Sequence, residues 1–149
     1  MTNGQGSKFV YVTFIRTTPE KLWSALTSPD AMKEYWFNMT QDSDWKVGSP
    51  WRMLFSDGRV ADAGHILEAD PPRRLVIHWL NEFRPELKAE GPARCTYELE
   101  QVSEAVKLTI THTTEFKDSQ LIVAVSGGWP RILSNLKSWL ETGEVLLKG

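Results

Sequence analysis

The chain of 149 residues has one cysteine, Cys95, which excludes an internal disulfide framework and a cysteine-based zinc site. No run approaches the roughly 18 consecutive apolar residues that a membrane-spanning helix needs. Charge of one sign is also scarce. The formal net charge is −2, and Lys and Arg are scattered, Arg73-Arg74 being the one adjacent pair. A nucleic-acid partner would want a clustered basic face, so that role is not expected. Catalytic and phosphate-binding signatures are missing as well: no HExxH, no G-x-S-x-G, no G-x-G-x-x-G. The opening "MTNGQGS" lacks the basic and apolar regions of a secretory signal and reads as a disordered lead-in over residues 1–7. The cytoplasm is therefore the expected location, and Asn38-Met39-Thr40 is read as a chance glycosylation triplet.

What the chain does have is tryptophan. Seven of them, at positions 23, 36, 45, 51, 79, 129 and 139, are several times the usual frequency. Large core fillers are one reading. An aromatic-lined cavity is the other, because ligand pockets are mostly apolar walls with a few polar groups.

Periodicity places these rings on elements. Residues 8–16, "KFVYVTFIR", alternate and read as a strand. Thr18-Pro19-Glu20 opens a helix, with Thr18 as N-cap and Pro19 in the first turn. Ser28-Pro29-Asp30 breaks it, and "AMKEYW" resumes as a second short helix. Strands follow at 49–55 and 59–69 around the hairpin signal Asp57-Gly58, then at 73–83, 93–102 and 105–116. Cys95, Tyr97 and Leu99 share one face, as do Val106, Leu108 and Ile110, which is the pattern of an antiparallel sheet solvated on one side. "PELKAEGP" reads as a polar, mobile loop. Leu121, Ile122, Val125, Trp129, Ile132, Leu133, Leu136, Trp139 and Leu140 then recur at three- and four-residue steps. An unbroken helix over 120–142 would run roughly 34 Å, enough to cross a sheet. Gly127-Gly128 and Pro130 interrupt that stripe, so a kink or restart is expected at 127–130, with Trp129 at a hinge over a pocket. The order describes an α+β domain over 8–149: a curved antiparallel sheet wrapped around a long C-terminal helix, with two short helices after the first strand.

"TTPEKLWSALTSPDAMKEYW", "VGSPWRMLF", "GHILEADPPRRLVIHW" and "GGWPRILSNLKSWLETG", in that order, resemble the bacterial homologues of the heat-shock-protein (ninety-kilodalton) ATPase activator C-terminal domain. These belong to the START-like (SRPBCC) superfamily with its helix-grip fold. The resemblance covers about residues 8–143. It implies a deep hydrophobic cavity between the sheet and the C-terminal helix. It does not imply one activity, since superfamily members include lipid carriers, aromatic cyclases, hormone receptors and co-chaperone domains. His65 is a departure: relatives often carry Glu there.

Candidate chemistry is sparse. His65, His78 and His112 show no metal-ligand spacing, so neither a metal nor a cofactor is expected. Cys95, on an apolar strand face, reads as an inert core thiol. Acid–base work would need an inward carboxylate or His; His65 and Glu68, three apart on one strand, face opposite ways, so only one of them points inward. The leading expectation is a non-enzymatic module binding a small hydrophobic or aromatic molecule. Trp51, Phe55, Trp79, Tyr97 and Trp129 would form its walls, with the Tyr97 hydroxyl and indole N–H groups orienting the ligand and His65 as a further polar contact. A chaperone partner, with modulation of its ATPase, is the second expectation, and a cyclase or hydrolase of polyketide-like substrates the third. The expected state is a monomer or weak dimer.

Overall fold

In the computed structural model, which describes residues 6–148, seven strands form one antiparallel sheet in the order β1-β7-β6-β5-β4-β3-β2. The strands are β1 (Ser7–Ile15), β2 (Thr40–Ser43), β3 (Pro50–Leu54), β4 (Val60–Asp70), β5 (Arg74–Asn81), β6 (Ala93–Val102) and β7 (Ala105–Thr114). The helices are α1 (Pro19–Thr27), α2 (Pro29–Tyr35), α3 (Pro85–Lys88) and α4 (Gln120–Thr142). The expected lead-in at 1–7 falls largely outside the described residues. Its last member, Ser7, already belongs to β1, and its hydroxyl donates to the Phe116 carbonyl and accepts from the Ser119 N–H, each at 2.9 Å.

Local chemistry explains the helix boundaries. The Thr18 hydroxyl accepts from the Lys21 N–H ahead of Pro19, and Ser28 ends α1 while its side chain accepts from the Ala31 N–H to start α2. Ser119 caps α4 through the Ile122 N–H, and Gly143, at φ 86°, closes it in the left-handed conformation that glycine adopts without strain.

The inner face of the sheet is set by register. Leu75, Ile77 and Trp79 of β5 lie opposite Tyr97, Cys95 and Ala93 of β6, and Tyr97 and Cys95 lie in turn opposite Ile110 and His112 of β7. Trp129, Leu133 and Leu136 of α4 are buried in the same core as these side chains. One cross-strand row decides the shape of this face near the site: Trp51 of β3, Gly64 of β4 and Trp79 of β5 are successive partners. With no side chain at Gly64, the two indoles meet with ring centroids 4.5 Å apart.

Two expectations need correcting. The helix does not break at 127–130; α4 runs from Gln120 to Thr142 through Pro130. Neither glycine is required by a close approach, because a Cβ added at Gly127 or Gly128 would meet nothing within 4 Å. Proline inside a helix costs about 3 kcal/mol. Burial of Trp129, Leu133 and Leu136, with capping at both ends, offsets it. Second, "PELKAEGP" is not a loose loop. Its first four residues form α3, Leu87 is buried, and Glu90 accepts from the Ser119 hydroxyl at 2.6 Å and the Gln120 N–H at 2.8 Å, where a carboxylate also meets the positive end of the α4 dipole. The polar segment Thr40–Ser43 is, in addition, an edge strand that its composition does not announce.

Two substitutions test this account. Gly64→Ala should lose about 3 kcal/mol or more in urea unfolding, since the new Cβ would fall 1.6 Å from the His78 carbonyl oxygen. Gly127→Ala should instead gain about 0.5–1 kcal/mol, because the helix is continuous there and the space is open; a loss would restore the hinge.

Candidate functional site

Between the β3–β5 end of the sheet and the N-terminal half of α4 lies a cavity of about 340 Å³. Trp36, at the end of α2, and Leu87 of α3 complete its wall. Five aromatic side chains line it: Trp36, Phe55, Trp79, Phe83 and Trp129. They lock one another edge to face. Trp36 and Trp129 are 5.5 Å apart, Trp79 and Trp129 6.2 Å, and Phe55 and Phe83 5.1 Å. Such contacts contribute roughly 0.5–1.5 kcal/mol each beyond burial and fix the ring planes. A larger hollow of about 620 Å³ lies on the outer face of the sheet beside His78 and Arg94, but its surroundings are polar and solvated.

Of the residues expected to bind a ligand, Phe55, Trp79 and Trp129 line the cavity. Trp51 and Tyr97 stand behind them. Trp51 is fully buried against Trp79, and Tyr97 packs edge-on against Trp129 at 5.9 Å. Their part is to hold the wall rather than to form it. His65 is placed wrongly by the sequence reading: it is exposed and stacks on His78 at 4.6 Å on the other side of the sheet. Glu68 is exposed too, so neither of the pair points inward. The reason is a bulge in β4, where the register with β5 shifts between Ile66 and Glu68 and breaks the simple alternation.

The polar groups of the site were not anticipated. Asp62 lines the cavity and is only 6% exposed. It shares the inward face of β4 with Gly64 and Ile66, a period-two signal legible from Gly64 and Ile66 alone. Its cross-strand partner Asn81 donates to Asp62 Oδ1 at 3.2 Å and accepts from the Arg84 backbone N–H at 2.9 Å. Burial raises the Asp62 pKa to about 6; the Trp79 indole N–H and Asn81 partly oppose that shift, and Glu82 adds to it. Although the Trp79 N–H favours the charged carboxylate, it closes no hydrogen bond of normal geometry. The other indoles behave differently: Trp51 donates to Gln41 Oε1 at 3.0 Å and Trp129 to His112 Nδ1 at 3.2 Å. Accepting at Nδ1 puts the neutral His112 proton on Nε2, and burial pushes its pKa down to about 3. Among the described residues, no group of three or more His, Cys, Asp or Glu is placed to hold a metal ion. No described helix is long and apolar enough to cross a membrane.

A curved antiparallel sheet gripping a long terminal helix over an aromatic cavity defines a helix-grip, START-like α+β protein. The chain belongs to the family described as Activator of Hsp90 ATPase homolog 1-like protein, whose model matches residues 16–141. A search of curated proteins returned no match. Among solved structures, the Mesorhizobium loti protein MLL2253 is similar at 23% identity and TM-score 0.77, covering 93% of this chain and all of that one. CalU16 from Micromonospora echinospora is similar at 21% identity and TM-score 0.73, covering 93% of this chain and 78% of its own. The Aha1 protein of Colwellia psychrerythraea, solved as a dimer, is similar at 21% identity and TM-score 0.72, covering 92% and 98%. At these identities the likeness shows a shared fold.

Asp62 makes a prediction about pH. Its folded pKa lies above the ordinary carboxylate value, so the folded state disfavours the ionised form. Stability is therefore lost as pH rises from about 4 through about 6. His112 has the opposite slope, losing stability as pH falls below its ordinary value of 6.5. The two largely mask each other in the wild type. Asp62→Asn should separate them: at pH 7.5 the variant should be more stable by about 2 kcal/mol, and by pH 4 the gap should close, as read by urea midpoints.

Proposed function

We propose that the chain binds a small, largely apolar aromatic molecule in the cavity between β3–β5 and α4. The observation that carries this reading is five interlocked aromatic side chains around about 340 Å³ of space. That volume is at the small end of ligand pockets, so a molecule of two or three rings fits it better than a long lipid. Trp129 supports the reading because its indole N–H is already committed to His112, leaving its faces for a ligand.

A catalytic reading has one specific observation in its favour. It requires an inward acid or base, and Asp62, with its pKa raised to about 6, sits on the wall. A cyclase or hydrolase acting on polyketide-like substrates would use Asp62 as its proton acceptor. Modulation of a chaperone ATPase draws its support from the family's name, and a weak dimer from the dimeric Colwellia relative.

Calorimetric titration with 2-methylnaphthalene should detect binding at micromolar to sub-millimolar affinity, with a matching rise in Tm. Val125→Phe, which adds a ring from the α4 side of the cavity, should weaken it at least tenfold without lowering stability below the wild type by more than about 1–3 kcal/mol. Affinity unaffected by that substitution would move the ligand elsewhere, and no binding by any two- or three-ring compound would end the proposal.

A further inference from the structure

The cavity has one carboxylate that no ion pair among the described residues neutralises. Asp62 lies on the wall, nearly wholly buried, and its one side-chain hydrogen bond comes from the neutral amide of Asn81 at 3.2 Å. That bond uses Oδ1; the Trp79 indole N–H favours the charged form but closes no hydrogen bond, so among the described residues Oδ2 accepts none. No Lys or Arg forms an ion pair with Asp62. The nearest candidate, Arg84, also lines the cavity, but its guanidinium is held by Glu86, with nitrogen–oxygen distances of 2.9 and 3.0 Å. Lys88 is similarly taken by Glu82 at 2.7 Å.

Around this carboxylate the wall offers mainly hydrocarbon and π-faces. From α4 it receives Leu121, Ala124, Val125, Gly128, Trp129 and Ile132, none of them charged. Aromatic faces carry negative quadrupole density and attract cations, an effect that strengthens when water is excluded. A buried carboxylate without a partner is costly, and the occupant that relieves it most is one bringing an opposite charge. An anionic ligand would place like charges together. A neutral alcohol would donate a hydrogen bond to Oδ2 yet leave the charge uncompensated. A protonated amine supplies both the donor and the charge, and its carbon skeleton fills the aromatic space.

We infer that the cavity selects an organic ammonium ion carried on an aromatic body, with the ammonium group on Asp62 Oδ2 and the rings among Trp36, Trp79 and Trp129. The inference rests on the cavity-binding reading above and narrows its ligand class from apolar aromatics to cationic ones.

Four compounds that share one ring system test it: 2-naphthylmethylamine, 2-naphthalenemethanol, 2-naphthoate and 2-methylnaphthalene, titrated calorimetrically into the full chain at pH 7.5. The amine should bind at least tenfold tighter than the alcohol and the hydrocarbon, and the carboxylate weakest. In Asp62→Asn the amine should lose that advantage, while the alcohol and hydrocarbon change by less than about twofold. A second measurement needs no variant. Lowering the pH of the wild type to 5 protonates Asp62 while the amine remains an ammonium ion, so the preference should shrink. The other groups that could respond near Asp62 are Glu82 and Arg84, on the segment from β5 to α3, and His112 of β7, which stays neutral; β3 and α4 present no titratable side chain to the cavity. An alcohol as tight as the amine, or an amine preference surviving in Asp62→Asn, would overturn the cation inference while the cavity reading stands. Failure of all four compounds to bind removes both.

Discussion

Much of this molecule depends on a side chain that is absent. In the row Trp51–Gly64–Trp79, the central residue contributes no bulk to the inner face, and the indoles on either side close to 4.5 Å across it. A Cβ at Gly64 would meet the backbone of His78, so only glycine fits at that point. Trp51, anchored by Gln41, thereby becomes a buttress for Trp79. Trp79 in turn faces Trp129 and His112, so one close approach orients a chain of rings from β3 to α4. Close-packed interiors transmit position in this way because each ring has few alternatives once its neighbours are fixed.

That rigid aromatic frame explains why polar groups are tolerated inside it. His112 is fully buried, yet it accepts the Trp129 N–H and remains neutral, so it serves the frame. Asp62 does not. Its burial works against the folded state at neutral pH, the Trp79 N–H and Asn81 offset that only in part, and no cation among the described residues pairs with it. Groups that weaken the fold yet line a cavity are where function is expected to reside, because stability alone would favour replacing them. The neighbouring row has the same geometry as the tryptophan row: Met53, Asp62 and Asn81 are successive partners, so the carboxylate is held on a strand rather than on a loop.

The sheet's alternation was legible from sequence because most inward faces are strict period-two sets, as at Cys95–Tyr97–Leu99 and Val106–Leu108–Ile110. The aromatic character of the cavity was legible for the same reason. What failed was local. The bulge in β4 puts His65 and Glu68 on the solvated side together, which no count of spacing anticipates. Gly127, Gly128 and Pro130 suggested a hinge on propensity, but tertiary burial of the flanking Trp129 and Leu133 outweighs propensity. Glu90 looked like part of a mobile loop because its role, holding the start of α4, depends on a partner 29 residues away.

The continuity of α4 bears on how the cavity is walled. The helix runs from Gln120 to Thr142 and is tied at its start by Glu90 and through Asn135 to the Leu147 backbone. On the binding reading proposed above, discrimination between ligands would rest on a preformed wall, where binding spends little on ordering the protein. Relatives at 21–23% identity share the frame, but a common fold fixes neither the wall residues nor their charges. On such a frame, the proposed binding would let a change at a position like Asp62 alter the chemistry of the accepted ligand without rebuilding the sheet or the helix. The site, more than the fold, is therefore where members of this family would be expected to differ in function.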